Sequence, residues 1–169
     1  ILAFDSIFLA TDEGVMAAPL QQQVNIADFN NWKRFDEFNT KASSITIHNN
    51  QLYATEADGN MYVYDNGQWA IAPFSVTHEY KYILSHHDEL LWTTSNGVYT
   101  YNGAEVVQLT SQHITTVNHM VADQANNLWL ADAQSGMVKK SSSEAVPILP
   151  LGPFSDKVAT VYYANNKIF

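Results

Sequence analysis

Four segments of the chain repeat one another in fixed register, and this recurrence constrains the fold more than any other feature. They are Ile7-Phe8-Leu9-Ala10-Thr11-Asp12-Glu13-Gly14, Leu52-Tyr53-Ala54-Thr55 running to Gly59, Leu90-Leu91-Trp92-Thr93-Thr94-Ser95-Asn96-Gly97, and Leu128-Trp129-Leu130-Ala131-Asp132 running to Gly136. Each joins an apolar stretch, a small residue, a polar turn with glycine and a second apolar stretch. With Phe8, Leu52, Leu91 and Trp129 taken as equivalent, the steps are 44, 39 and 38 residues, and Phe169 falls 40 beyond Trp129. A period of about 40 residues is that of a four-stranded propeller blade. The chain therefore reads as all-β, a β-propeller fragment of about four four-stranded antiparallel blades. A β-sandwich of short strands also alternates, but it leaves the fixed register unexplained.

The unit resolves strand by strand. First strands fall at Ile1 to Phe4, Ser44 to His48, Tyr82 to Ser85, Ile114 to Val117 and Val158 to Tyr163, all rich in β-branched or aromatic residues. The repeated segment is the second strand. Third strands follow at Met61 to Tyr64 and Val98 to Tyr101, and fourth strands at Gln68 to Ile71 and Glu105 to Leu109. Asp65-Asn66-Gly67 and Asn102-Gly103 join them, because such turns tolerate positive φ. The blades are placed at about 1–43, 44–81, 82–113 and 114–156, with a stub at 157–169. The column Ala10, Ala54, Thr93 and Ala131 is expected to be small, since blades crowd near the axis. Helix is expected to be minor, with room for one short helical turn between Asn31 and Asn39. The chain begins at Ile1 inside a first strand and stops at Phe169 inside a second, so an interrupted fifth blade is expected. Its end blades would leave apolar faces for a homodimer through the open blade ends.

Charge and chemistry narrow the function by exclusion. Eight basic against seventeen acidic residues give a net charge of −9, which argues against a nucleic-acid partner held through its phosphates. There is no cysteine, and no apolar run approaches a membrane span. His86-His87-Asp88-Glu89 offers imidazole and carboxylate, but adjacent strand residues point to opposite faces and no ligand spacing accompanies them. It reads as a solvated turn. His48, His78, His113 and His119 stand singly and read as surface. Glu56 to Asn60 lacks the spaced acids of a calcium loop, and Asp123 to Asn127 reads as a hydrogen-bonded turn with weak calcium as the alternative. Nucleophile-elbow and phosphate-cradling motifs do not occur. Trp32, Trp69, Trp92 and Trp129 recur with the blade, which favours packing over sugar stacking. Asp12-Glu13 and Asp88-Glu89 fall in exposed turns that would not separate their pKa values. No catalytic, cofactor-binding or metal-binding residue is assigned, and the chain is not read as an enzyme.

Two stretches resemble a known family. Ile7 to Ala18 followed by Asn31-Trp32 is similar to a "T-x-x-G-[VI]" blade opening with a Trp-bearing strand. Val121 to Asp132, continuing through Gly136-Met137-Val138-Lys139, resembles the "D-x-x-G-N-L-W-[IL]-A-D-x-x-x-G-L-V-K" blade of the PorZ-like proteins of the type IX secretion system of Bacteroidota, with Ala125 departing from the pattern. Leu151-Gly152-Pro153-Phe154-Ser155 is similar to the "N-G-P-[YF]-S" that follows it, with Leu in place of Asn. The resemblance implies a non-catalytic binding or scaffolding module, periplasmic or at the cell surface and associated with the outer membrane. It implies protein partners or cell-surface polysaccharide, and it brings no cofactor. The same blade logic also resembles the ligand-sensing propellers of hybrid two-component regulators. A glycan-active propeller enzyme is a third reading, for which convergent acids on several blade loops are lacking.

Overall fold

A computed structural model describes residues 1–57, 59–75, 79–149 and 160–168. Four four-stranded antiparallel sheets follow one another, each in chain order. The first comprises β1 (Leu2–Ala3), β2 (Ser6–Thr11), β3 (Gly14–Pro19) and β4 (Lys33–Arg34). The second comprises β5 (Ala42–His48), β6 (Gln51–Glu56), β7 (Met61–Asp65) and β8 (Gln68–Ile71). The third is β9 (Tyr80–His86), β10 (Glu89–Thr94), β11 (Gly97–Tyr101) and β12 (Val106–Leu109). The fourth is β13 (Val117–Ala122), β14 (Leu128–Asp132), β15 (Gly136–Lys140) and β16 (Ala145–Ile148). A two-stranded ribbon of β17 (Tyr163–Ala164) and β18 (Lys167–Ile168) comes after them. The architecture is that of successive propeller blades. Two compact units divide the chain, Ile1–Ser85 and His86–Phe169.

Strand pairing revises the expected register in blade two. Thr11 pairs with Gly14, Thr94 with Gly97 and Asp132 with Gly136, so these three residues end equivalent second strands. In blade two the same place belongs to Glu56, whose N–H bonds the Asn60 carbonyl. Both Glu56 and Asp132 also pair across a bulge, opposite Ala42 and Val117. The four expected residues do lie in equivalent strands, but Tyr53 rather than Leu52 matches Phe8, Leu91 and Trp129. The small column accordingly runs through Ala10, Thr55, Thr93 and Ala131. Extra residues in the Ala57 to Asn60 hairpin moved the sequence alignment by one.

Two first strands begin earlier than expected, at Ala42 and Tyr80. That of blade four begins later: Ile114 forms an isolated bridge with Ser111, and the strand starts only at Val117. The cause is the Asp132 carboxylate, which accepts from the N–H groups of Thr115 (2.7 Å) and Thr116 (2.9 Å) and from the Thr115 hydroxyl (2.8 Å). Those N–H groups are thereby turned away from a strand partner. Glu56 does the same in blade two, accepting from Asn39 and Thr40 N–H at 2.7 and 3.2 Å. The short helical turn lies at Phe29–Asn31, ahead of the expected 31–39, and is capped by Asp28. Trp32 sits beyond that turn and outside β4, donating its indole N–H to the Ile26 carbonyl. Of the described part of the expected strand, residues 160–163, Tyr163 alone is in β-structure; Val158 and Ala159 lie outside the described residues, as do Leu151 to Ser155, His78 and Phe169.

In the first unit, blades one and two pack through Phe8, Phe35, Phe38, Leu52 and Trp69, all buried. Phe38 meets Trp69 edge to face with centroids 5.2 Å apart, a geometry favoured by the ring quadrupoles. Gly14 makes room for this cluster: its φ is +102, and a methyl group there would sit 2.7 Å from Phe38 Cβ. In the second unit Trp92 and Leu130 are inaccessible to solvent.

Asp132 is wholly inaccessible and accepts five hydrogen bonds, the last two from Gln134 and Ser135 N–H. Removing it leaves five part-buried donors without their acceptor, a loss that falls short of the about 1–3 kcal/mol for each fully buried group but adds up over the set. We expect Asp132→Ala to lower stability by about 3 kcal/mol or more and Thr94→Ala by about 1 kcal/mol. Urea unfolding midpoints check the difference, and equal losses would contradict the capping role.

Candidate ligand-binding clefts at the blade turns

In a four-stranded antiparallel sheet connected in chain order, the turns between strands one and two and between strands three and four lie at the same end. Among the described residues, clefts that open at that end include three. One, about 360 Å³, is lined by His86, His87 and Glu89 from the first turn of blade three, by Asn126 from the first turn of blade four, and by Lys140, Ser141 and Ser142 from its second turn. Leu91, Leu109 and Leu128 supply its apolar wall. A second, about 410 Å³, lies at the corresponding place between blades one and two and is lined by Phe4, Asn50, Gln51 and residues 64–67. The third, about 350 Å³, joins Asp123, Gln124, Ala125 and Trp129 to Tyr163 and Asn166 of the ribbon.

Backbone strain marks one of these clefts. The first turns of blade two and of the ribbon place Asn49-Asn50 and Asn165-Asn166 at positive φ, where asparagine is tolerated. At the matching turns blade three puts His87 (φ 50), a residue type that also adopts this region, and blade one puts Phe4 (φ 49), whose bulky ring is unfavourable there. Phe4 is 58% exposed, with its ring 5.8 Å from that of Tyr64. His87 pairs through Nε2 with the Asn126 Oδ1, joining the first turns of blades three and four. The rings of His86 and His87 stand 4.2 Å apart, edge to face. Burial, and then the neighbouring His87, holds the His86 imidazole below its ordinary pKa, against the pull of Glu89 and Asp123. Its Nε2 is buried without a hydrogen-bond partner.

His86 to Glu89 thus forms the expected turn and also builds a cleft wall, which adjacent residues alone could not reveal. The singly placed His48 departs from expectation: it is 5% exposed and bonds Ser85 through Nδ1 at 3.0 Å and the Asn49 amide through Nε2 at 3.1 Å. His119 is half-buried and His113 bonds the Gln112 amide. Among the described residues no three His, Asp or Glu side chains are grouped to hold a metal. Asp12, in its exposed turn, pairs with Lys41 at 2.7 Å. Trp69 and Trp92 are core residues, whereas Trp129 is half-buried, with Lys139 Nζ 5.5 Å from its ring centroid.

Asp123 is a hydrogen-bonded turn of unusual density. Its carboxylate accepts from the Ala125 and Asn127 N–H groups, from the Asn127 amide and from the Trp129 indole N–H at 2.9 Å. Burial works to raise its pKa, but these donors outweigh burial and bring it to about 2. Burial likewise opposes, and the Ser135, Thr115 and Gln134 N–H groups reverse, so that Asp132 is also lowered. Depressed carboxyl groups lend stability above their unfolded pKa of about 3.9, and that stability goes as pH falls through the folded values. Unfolding midpoints are therefore expected to hold above about pH 5 and to drop toward pH 2, with Asp123→Asn removing part of the drop. A midpoint in Asp123→Asn with the same acid slope as the parent would contradict this.

No protein-family profile and no curated protein matches the sequence. Among solved structures, the chain is similar to the extracellular domain of BT4673 from B. thetaiotaomicron. One structure, assigned to a one-component system, matches with a TM-score of 0.79 at 15% identity over 99% of this chain. Another, assigned to a hybrid two-component system, gives 0.73 at 14% identity over 95%. The chain spans 25% and 24% of those two chains. The computationally designed Ika8 protein also matches, with a TM-score of 0.63 at 11% identity, over 99% of this chain and 52% of that one. At these identities the likeness establishes the fold. Among the described residues no helix is long and apolar enough to cross a membrane.

Proposed function

We propose that this chain is a segment of the extracytoplasmic, ligand-sensing propeller of a two-component regulator, a non-catalytic module that binds its ligand at the turn-end clefts. The observation that carries the reading is the likeness to the BT4673 extracellular domain over 99% of the chain. It favours the regulator over the secretion-system attachment protein that the blade motifs resemble. The clefts add support: the one between blades one and two is bordered by Phe4, whose ring is held at positive φ, and strain of this kind clusters where a side chain must be presented to a ligand. A location in the periplasm or at the cell surface follows from the same reading. The complete gene product tests it. A membrane helix followed by a histidine kinase is expected; a second propeller with a C-terminal β-sandwich domain would return the chain to the attachment proteins. Purified protein is expected to be stabilised by its ligand without altering it, and conversion of that ligand would overturn the non-catalytic reading.

A further inference from the structure

We propose that the cleft between blades three and four binds a small monocarboxylic acid with an apolar body. The inference rests on the ligand-sensing reading and names the chemistry of its ligand. Of the clefts at the blade turns described above, this is the one with a cation in its lining, Lys140. Its ammonium donates to the Ser141 carbonyl, and among the described residues no carboxylate is paired with it. Ser142 lines the same cleft, so a carboxylate finds one charged donor and one residue able to give a neutral one.

The rest of the lining fixes the remainder of the ligand. Leu91, Leu109 and Leu128 form an apolar wall suited to a short hydrocarbon body, in a volume at the lower end of small-molecule sites. Glu89 also faces the cleft and is exposed. Its charge tolerates a monoanion neutralised at Lys140 but repels a second negative charge, and the net charge of −9 acts the same way. Phosphate, sulfate and citrate are thereby disfavoured. The His87 and Asn126 side chains meet where the first turns of the two blades border the cleft.

Calorimetry and amide NMR at low salt test the proposal with isovalerate, isovaleramide, citrate and inorganic phosphate, since screening weakens the charged contact. Saturable isovalerate binding, with shifts at His87, Asn126 and Ser142, is expected. Lys140→Met should weaken it about tenfold or more, a change worth one interaction with a charged donor. Lys139→Met, whose ammonium lies over Trp129, should leave it unchanged. Equal binding of isovaleramide, tighter binding of citrate or phosphate, or an isovalerate affinity indifferent to Lys140→Met would each overturn the assignment. Failure of isovalerate beside saturable binding of a neutral sugar in this cleft would sink the proposal and leave the sensing reading standing. Absence of a kinase in the complete gene product would remove that reading without touching the calorimetry.

Discussion

The buried carboxylates of Glu56 and Asp132 tie each of their blades to the chain that enters it. Each ends a second strand and accepts backbone N–H bonds from residues 16 and 17 positions earlier, just before the first strand begins. The contact is long in sequence but local in space, so it sets where the linker stops and the sheet starts. A buried charge without partners would be costly, and here the partners are backbone N–H groups together with the Tyr62 hydroxyl for Glu56 and the Thr115 hydroxyl for Asp132. Blades one and three solve the same position differently. Thr11 and Thr94 close their hairpins through the Gly14 and Gly97 carbonyls and the Glu13 and Asn96 N–H groups. Two chemistries thus occupy one register position, acid in the even blades and threonine in the odd.

That register carries the packing with it. A strand displaced by one residue exchanges its faces, so fixing the second strand decides which residues meet the neighbouring blade. In the first unit it directs Phe8, Val15 and Ala17 onto the same cluster as Leu52 and Trp69. The small residue in the second strand is also fixed, and Thr55, Thr93 and Ala131 are all inaccessible. The turns at the other end are set by the same pairing, including the two that hold Phe4 and His87 at positive φ.

Much of this was legible in the sequence because blades repeat local patterns. Alternation identified the strands, and the Asn-Gly type turns identified the hairpins at Asn66-Gly67 and Asn102-Gly103, where Gly67 and Gly103 have φ +87 and +91. The offset at Leu52 was not legible, because the longer hairpin after Glu56 can be aligned with either of two neighbours until strand pairing decides. The late start of β13 was hidden for a different reason. Ile114 to Val117 has strong strand propensity, yet the Thr115 and Thr116 N–H groups are taken by Asp132, and propensity yields to a tertiary hydrogen bond. His48 was read as surface because a single histidine in a strand carries no sign of its Ser85 partner.

The clefts show why function was less legible than fold. Blade packing draws on residues inside one repeat, and the repeat can be read directly. The clefts between blades one and two and between blades three and four are instead each assembled from three turns on two successive blades, so His87, Asn126 and Lys140 line one cleft although 39 residues separate the first two. The turn that asparagine fills in blade two and in the ribbon is filled by phenylalanine in blade one and histidine in blade three. Histidine tolerates that backbone, but Phe4 goes against local preference and is largely exposed. Conflict between a local rule and an observed residue points to a requirement outside the fold. Phe4 borders the cleft between blades one and two, so this departure from the repeat falls at a turn and not in the blade core.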